Sequence, residues 1–413
     1  MKILRNYAFT ICLLLGIILG GLAGVIFGAK TEIVKPIGDI FLNLMFVVIV
    51  PLVFLSVSSA IANMKQMARL GKIIGTTFIV FFITAMLAAI IAFIGVKIFN
   101  PLHNVDTSAL LSNLPKIETD TGKSIGEILV STFTVSDFLD LFTKSNLLPL
   151  IIFSILFGVA TTMAGEKGRA VADLLSSATE VILKIVKLIM YAAPIGLGCY
   201  FAVTVGQLGP QIISGYLNAF LLYLVLTVIY FFGMNTLYAF TAGGKTGIRT
   251  FWKNVFTPAI TAVATSSSAA CIPVNLVATK KMGVPDDIAE TVIPLGANTH
   301  KDGSVIGGIL KITFLFTLFG KDMSSIGSIA AILGVAFLVG AVMGAIPSGG
   351  MTGELLICAV FGFPPELVAT IMIISTIIDV PATLLNSTGN TVCAMLVARF
   401  VEGKDWLRKK ITA

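Results

Sequence analysis

The chain has 413 residues, 56% of them apolar and 12% charged, with a mean hydropathy of +0.99. A water-soluble domain of this size carries roughly 25% charged residues, so an ordinary globular protein is excluded. The net charge of +7 resides in short basic clusters between apolar runs, which argues against a nucleic-acid partner and reports membrane orientation instead.

Met1-Lys-Ile-Leu-Arg-Asn leads into an apolar run from Ala8 to Phe27. That run is long enough to span a bilayer, so it reads as a first transmembrane helix and not as a signal peptide. Further apolar segments of spanning length lie at 38–63, 75–99, 146–165, 178–205, 214–241, 291–318 and 366–400. Residues 188–244 and 323–353 contain no Asp, Glu, Lys or Arg at all. Basic residues follow the second, fourth and sixth segments (Lys65, Arg69, Lys72; Lys167, Arg169; Lys245, Arg249, Lys253) and mark both termini. An even number of crossings puts all of these in the cytoplasm and the polar stretch 101–145 outside, as expected of a multi-pass inner-membrane protein. The five cysteines are scattered, without a C-x-x-C pair, and support neither a disulfide framework nor a thiolate metal site.

Two stretches depart from the spanning pattern. From Asn254 the chain is apolar to Ala264, meets Thr265-Ser-Ser-Ser-Ala-Ala, and is apolar again until Lys280. Each arm is too short to cross, so the pair reads as a re-entrant hairpin. The second is Ser325 to Phe363, turned by Ile346-Pro-Ser-Gly-Gly-Met-Thr-Gly353. Two such hairpins dipping from opposite sides fit an inverted repeat with a binding site near the midplane.

Ionisable side chains at membrane depth are costly and therefore functional candidates. Lys301, Asp302 and Asp379 are read as those charges. Asp379, Thr383, Asn386 and Asn390 fall on one helical face, a stripe suited to a cationic group and its hydrogen-bonding neighbours. Within 291–318, the run Asn298-Thr-His-Lys-Asp-Gly-Ser304 is too polar for a lipid-facing helix and reads as a local unwinding that lines a cavity. A hydrolase built from Ser267, His300 and Asp302 is disfavoured, because there is no nucleophile elbow and adjacent side chains do not face one another. Glu354 reads as an interfacial residue, with an extra proton-carrying carboxylate as the alternative.

The order of these features resembles the dicarboxylate/amino acid:cation symporter family, the glutamate transporter homologues, over nearly the whole chain. The motifs are Val50-Pro-Leu-Val-Phe, Leu70-Gly-Lys-Ile-Ile-Gly, Thr265-Ser-Ser-Ser-Ala-Ala-Cys-Ile-Pro-Val-Asn, Ile293-Pro-Leu-Gly-Ala-Asn and Asn386-Ser-Thr-Gly. The resemblance implies an all-α polytopic membrane protein with eight transmembrane helices, two re-entrant hairpins and inverted repeats. It implies a homotrimer working by an elevator-type movement: scaffold helices at 1–73 and 146–210, and transport elements at 74–100 and 211–413. By position, the backbone around Ser267 and Ser268 and the amide of Asn386 would hold a substrate α-carboxylate, Asp379 its ammonium, and Thr383 a further hydrogen bond. Ser304, Ile346, Pro347, Gly350 and Ala382 would line the same pocket. Asn298, His300, Lys301, Asp302, Asn386 and Asn390 would form a cation site or its surrogate.

Two departures shape the expected function. Acidic-substrate members carry arginine where this chain has Ala382, which points to a small neutral amino acid such as serine, threonine or alanine. The family's Asn-Met-Asp-Gly-Thr is His300-Lys-Asp-Gly-Ser304 here, and an expected carboxylate is Asn390. Lys301, with the single charge of Na⁺, would hold the cation's place permanently or load and release a proton each cycle. Weak or absent sodium dependence is expected, with proton coupling or exchange. The alternatives are a conventional sodium-coupled amino acid or dicarboxylate symporter and, more distantly, an anion-conducting pathway.

Overall fold

The computed structural model describes residues 2–62, 68–102, 130, 134–143, 146–208, 211–342, 350–364 and 367–407, and their regular structure is entirely helical. Helix α1 (Lys2–Phe27) passes through a 3-10 turn, Gly28–Val34, into α2 (Lys35–Ala62), and α3 (Ala68–Ile98) follows. Further along the chain come α4 (Leu147–Met163), α5 (Glu166–Met190) and α6 (Ala193–Leu208). α1 and α6 meet almost backbone to backbone: a Cβ added at Gly20 would lie 2.0 Å from the Gly198 carbonyl oxygen. Close approach through glycine is how helices associate where there is no water to expel.

The single crossing expected over 178–205 is instead two helices. Tyr191 and Ala192 form a turn bonded back to Leu188 and Ile189, and Pro194 has no N–H with which to carry a helix through the break. The charges of α5, from Glu166 through Lys184, leave it amphipathic, as a helix at a surface is.

α7 (Gln211–Val228) runs through a π-helical turn, Ile229–Met234, into α8 (Asn235–Asn254), which kinks at Gly243 and Gly244. The first hairpin forms as expected from α9 (Phe256–Thr265) and α10 (Ser268–Lys281), with Ser266 left-handed at φ 47°. The interrupted helix also forms as expected. α11 (Asp286–Thr299) and α12 (Asp302–Leu318) are its halves, with His300 extended and Lys301 non-helical between them. α13 (Ile326–Val342) and α14 (Gly350–Phe361) are the arms of the second hairpin, and α15 (Leu367–Glu402) is one helix with Pro381 inside it. Ile346 and Pro347 lie outside the described residues; Gly350 is the first residue of α14.

α12 and α15 pack together at the centre, and every residue from Asp302 to Phe316 and from Leu385 to Ala398 is buried. A helix apolar around its whole circumference is stable only when surrounded, and α3, α8 and the hairpin arms supply the surround. Asn275 fastens the first hairpin to α15, its Nδ2 donating to Ser387 O at 3.1 Å and Ser387 Oγ at 2.9 Å. On the outside, Ile18, Leu19, Ile79, Phe82, Leu221 and Val225 are exposed, the side chains of a lipid-facing belt. Among the described residues, Ile11–Phe41, Gly71–Ile98, Ile212–Asn254 and Leu367–Glu402 are long and apolar enough to cross a bilayer.

Candidate functional site

The polar stripe of α15 runs from an exposed end into the interior. Asp379 is exposed, whereas Thr383, Asn386 and Asn390 are buried. Asn386 spends both ends of its amide on the start of α12: its Oδ1 accepts from Ser304 N at 3.2 Å and its Nδ2 donates to Ser304 Oγ at 3.1 Å. The two helices touch there, since a Cβ at Gly303 would fall 2.5 Å from Ala382 O, and Tyr223 locks the junction by donating to Gly303 O at 2.7 Å. Ser267 caps α10 by accepting from Ala270 N at 3.3 Å, and Ser268 behind it is buried. The tip of the first hairpin therefore presents a helix N-terminus, with donors suited to an anion.

Lys301 is 6% exposed, and its ammonium has no hydrogen bond or ion pair with a described residue. It interacts electrostatically with Asp379, so a buried ammonium and an accessible carboxylate share the exposed end of the stripe.

A second polar cluster lies deeper. His300 Nε2 is 2.9 Å from Asp302 Oδ1 and 2.8 Å from Thr84 Oγ1, and Nδ1 is 2.9 Å from Asn390 Oδ1. Phe81 stacks on the imidazole at 4.2 Å between centroids. Tyr230 donates to Asp302 Oδ2 at 2.7 Å and meets the Tyr238 hydroxyl at 3.2 Å.

The structure brings together His300, Asp302 and Asn390 of the expected cation set and leaves out the other three, of which Asn386 is bonded to Ser304. Asn298 is exposed and donates to its own helix at Pro294 O. Lys301 is not the group that meets Asp302. In extended backbone, residues i and i+2 share a side while i+1 points away, so His300 faces Asp302 and Lys301 faces elsewhere. The same rule corrects the expectation that His300 and Asp302 do not face each other. Tyr230, missed in the sequence, is delivered by the π-helical turn, a feature frequent at functional sites. Its only signal was a run of tyrosines, 223, 230 and 238, in a charge-free stretch.

Two more charges sit at depth. Lys311 donates to Glu354 Oε1 at 2.6 Å and to Ser375 Oγ at 2.8 Å, and Ser375 in turn meets Glu354 Oε1. The two side chains are 1% and 0% exposed, so Glu354 is not interfacial and Lys311 joins the internal charges. Glu354 has to be buried because α14 packs between α13 and α15.

The model of the Sodium:dicarboxylate symporter family matches residues 9–400. This chain belongs to that family. It is similar to the C4-dicarboxylate transport protein of Bacillus subtilis, 28% identical over 97% of this chain and 94% of the relative. It is also similar to the proton/sodium-glutamate symport protein of Geobacillus stearothermophilus, 27% identical over 96% of this chain and 95% of the relative. As a family member the chain is a membrane symporter and not an enzyme.

Proposed function

We propose that this symporter carries a small neutral amino acid such as serine, threonine or alanine. The observation that carries this reading is Ala382, buried on the substrate-facing side of α15 with its backbone packed against Gly303. Among the described residues, no guanidinium stands beside Asp379 to hold a second carboxylate. The charges at the exposed end of the stripe are one carboxylate, Asp379, and one ammonium, Lys301, which together match a zwitterion: Asp379 takes the substrate ammonium, and Lys301 with the α10 N-terminus takes its carboxylate. Ser304 and Thr383 add hydrogen bonds beside them.

The transport cycle that fits this reading is an elevator movement in a homotrimer. Residues 1–73 and 146–210 form the scaffold, residues 74–100 and 211–413 move, and the basic clusters keep both termini cytoplasmic. The relatives' names favour a second reading, a C4-dicarboxylate or glutamate substrate, with Lys301 holding the second carboxylate. Counterflow in proteoliposomes separates the two. Serine, threonine or alanine exchanging well above aspartate, glutamate and succinate supports the neutral reading. Acidic substrates exchanging at least as fast would replace it with the second.

A further inference from the structure

The imidazole of His300 stands at a point where oxygens from three helices converge. Asp302 Oδ1 comes from α12, Thr84 Oγ1 from α3 and Asn390 Oδ1 from α15, all 2.8–2.9 Å from a ring nitrogen. A carboxylate, an amide oxygen and a hydroxyl are the hard donors that bind alkali and alkaline-earth cations. Around the ring, Phe81 stacks on one face and the backbone at Gly389 approaches, a Cβ there falling 3.7 Å from His300 Cε1. The other Asp302 oxygen is held by Tyr230, so the carboxylate cannot swing to a second place.

A cation entering this cage would need the lone pairs that the ring nitrogens already engage. As oriented, Asn390 Oδ1 presents an acceptor to Nδ1 and Thr84 Oγ1 presents one to Nε2, with Asp302 Oδ1 beside Nε2 as an ion-pair contact. A ring with N–H on both nitrogens satisfies the pair and brings one positive charge. With the amide of Asn390 turned over, a neutral ring would serve, and the cage is filled in either case. His300, Asp302 and Thr84 are 2%, 1% and 1% exposed, and the ring cannot leave without unstacking from Phe81.

We propose that the His300 side chain is a built-in replacement for a coupling cation, filling an oxygen cage formed by Asp302, Asn390 and Thr84, so that this member of a sodium symporter family works without Na⁺ at that position. Lys301, on the opposite side of the non-helical segment, is left free for the substrate at the exposed end of the stripe. The proposal rests on the transporter reading above for its effect on transport, but the cage itself is testable without a substrate.

The experiment uses the purified full chain and two readouts. Thermal unfolding is followed in NaCl and in choline chloride at equal ionic strength and pH, because a bound ion raises Tm by mass action. The wild type should unfold at the same temperature in both salts. His300→Asn, whose shorter side chain vacates the cage and leaves the oxygens, should gain a Na⁺-dependent rise of a few degrees. Amino acid counterflow in proteoliposomes should likewise be indifferent to Na⁺ in the wild type and stimulated several-fold by Na⁺ in His300→Asn. A Na⁺-dependent rise in the wild-type Tm, or wild-type counterflow that collapses in choline, would overturn the proposal whether or not the variant folds. A variant that folds yet stays indifferent to Na⁺ in both assays would overturn it as well. Counterflow absent for every amino acid, with the Tm pattern as expected, would sink the transporter reading's substrate and leave the cage standing.

Discussion

Lys311 and Glu354, 43 positions apart in the chain, meet at 2.6 Å in a fully buried ion pair that joins α12 to the return arm of the second hairpin. Ser375 of α15 bonds to both partners, so three elements converge on one carboxylate oxygen. Burying two charges carries a desolvation cost comparable to their attraction, whereas leaving one charge unpaired is strongly unfavourable. Lys311→Met or Glu354→Leu alone should therefore destabilise the protein by about 3–5 kcal/mol. The double variant should recover most of that loss, and a thermal-unfolding double-mutant cycle in detergent measures the coupling. Single-variant losses that simply add would show that the pair contributes little.

Asp379 is exposed where the rest of its stripe is buried, so its charge is available to a ligand and contributes little to packing. Asp379→Asn should leave Tm close to wild type while weakening amino acid binding by about 1.5–3 kcal/mol, the usual loss for a charged hydrogen bond. Uptake kinetics check this as a rise in KM of roughly tenfold or more. A loss of Tm with unchanged KM would make Asp379 structural.

The α1–α6 contact gives a packing test with an internal control. Gly20→Ala would put a methyl group 2.0 Å from Gly198 O, while Gly334 in α13 has no atom within 4 Å of such a group. Gly20→Ala should cost about 1–3 kcal/mol through forced backbone shifts. Gly334→Ala should stabilise by about 0.4–1 kcal/mol through the unfolded chain's lost freedom. Both appear as opposite shifts in detergent Tm.

Asp322 begins the second hairpin with an exposed cap. Its Oδ1 accepts from Ser324 N at 2.8 Å and its Oδ2 from Ser325 N at 3.0 Å, and these backbone donors, Ser324 first, hold its carboxyl below the usual carboxylate range. Because the folded-state value lies below the unfolded one, the cap's stabilisation is complete above about pH 4 and is lost as pH falls past the folded value. Asp322→Ala should lower Tm at neutral pH, and the difference from wild type should shrink on acidification. A difference independent of pH would refute the cap.

Composition and periodicity alone determined that lipid is the solvent, that the chain folds as helices, that two hairpins interrupt the pattern and that the helix at 291–318 unwinds around His300. These are properties of a window of neighbouring residues, where apolar run length and short polar breaks decide what can cross a bilayer. The stripe from Asp379 to Asn390 was legible for the same reason, since helical spacing sets which residues share a face. Tertiary structure alone decided that His300 and not Lys301 meets Asp302, that Glu354 finds Lys311, and that Tyr230 reaches Asp302 at the start of α12. Each of those depends on how one element is rotated against another. In an extended segment a shift of one residue exchanges the two sides, and packing of distant helices, not any local pattern, chooses between them.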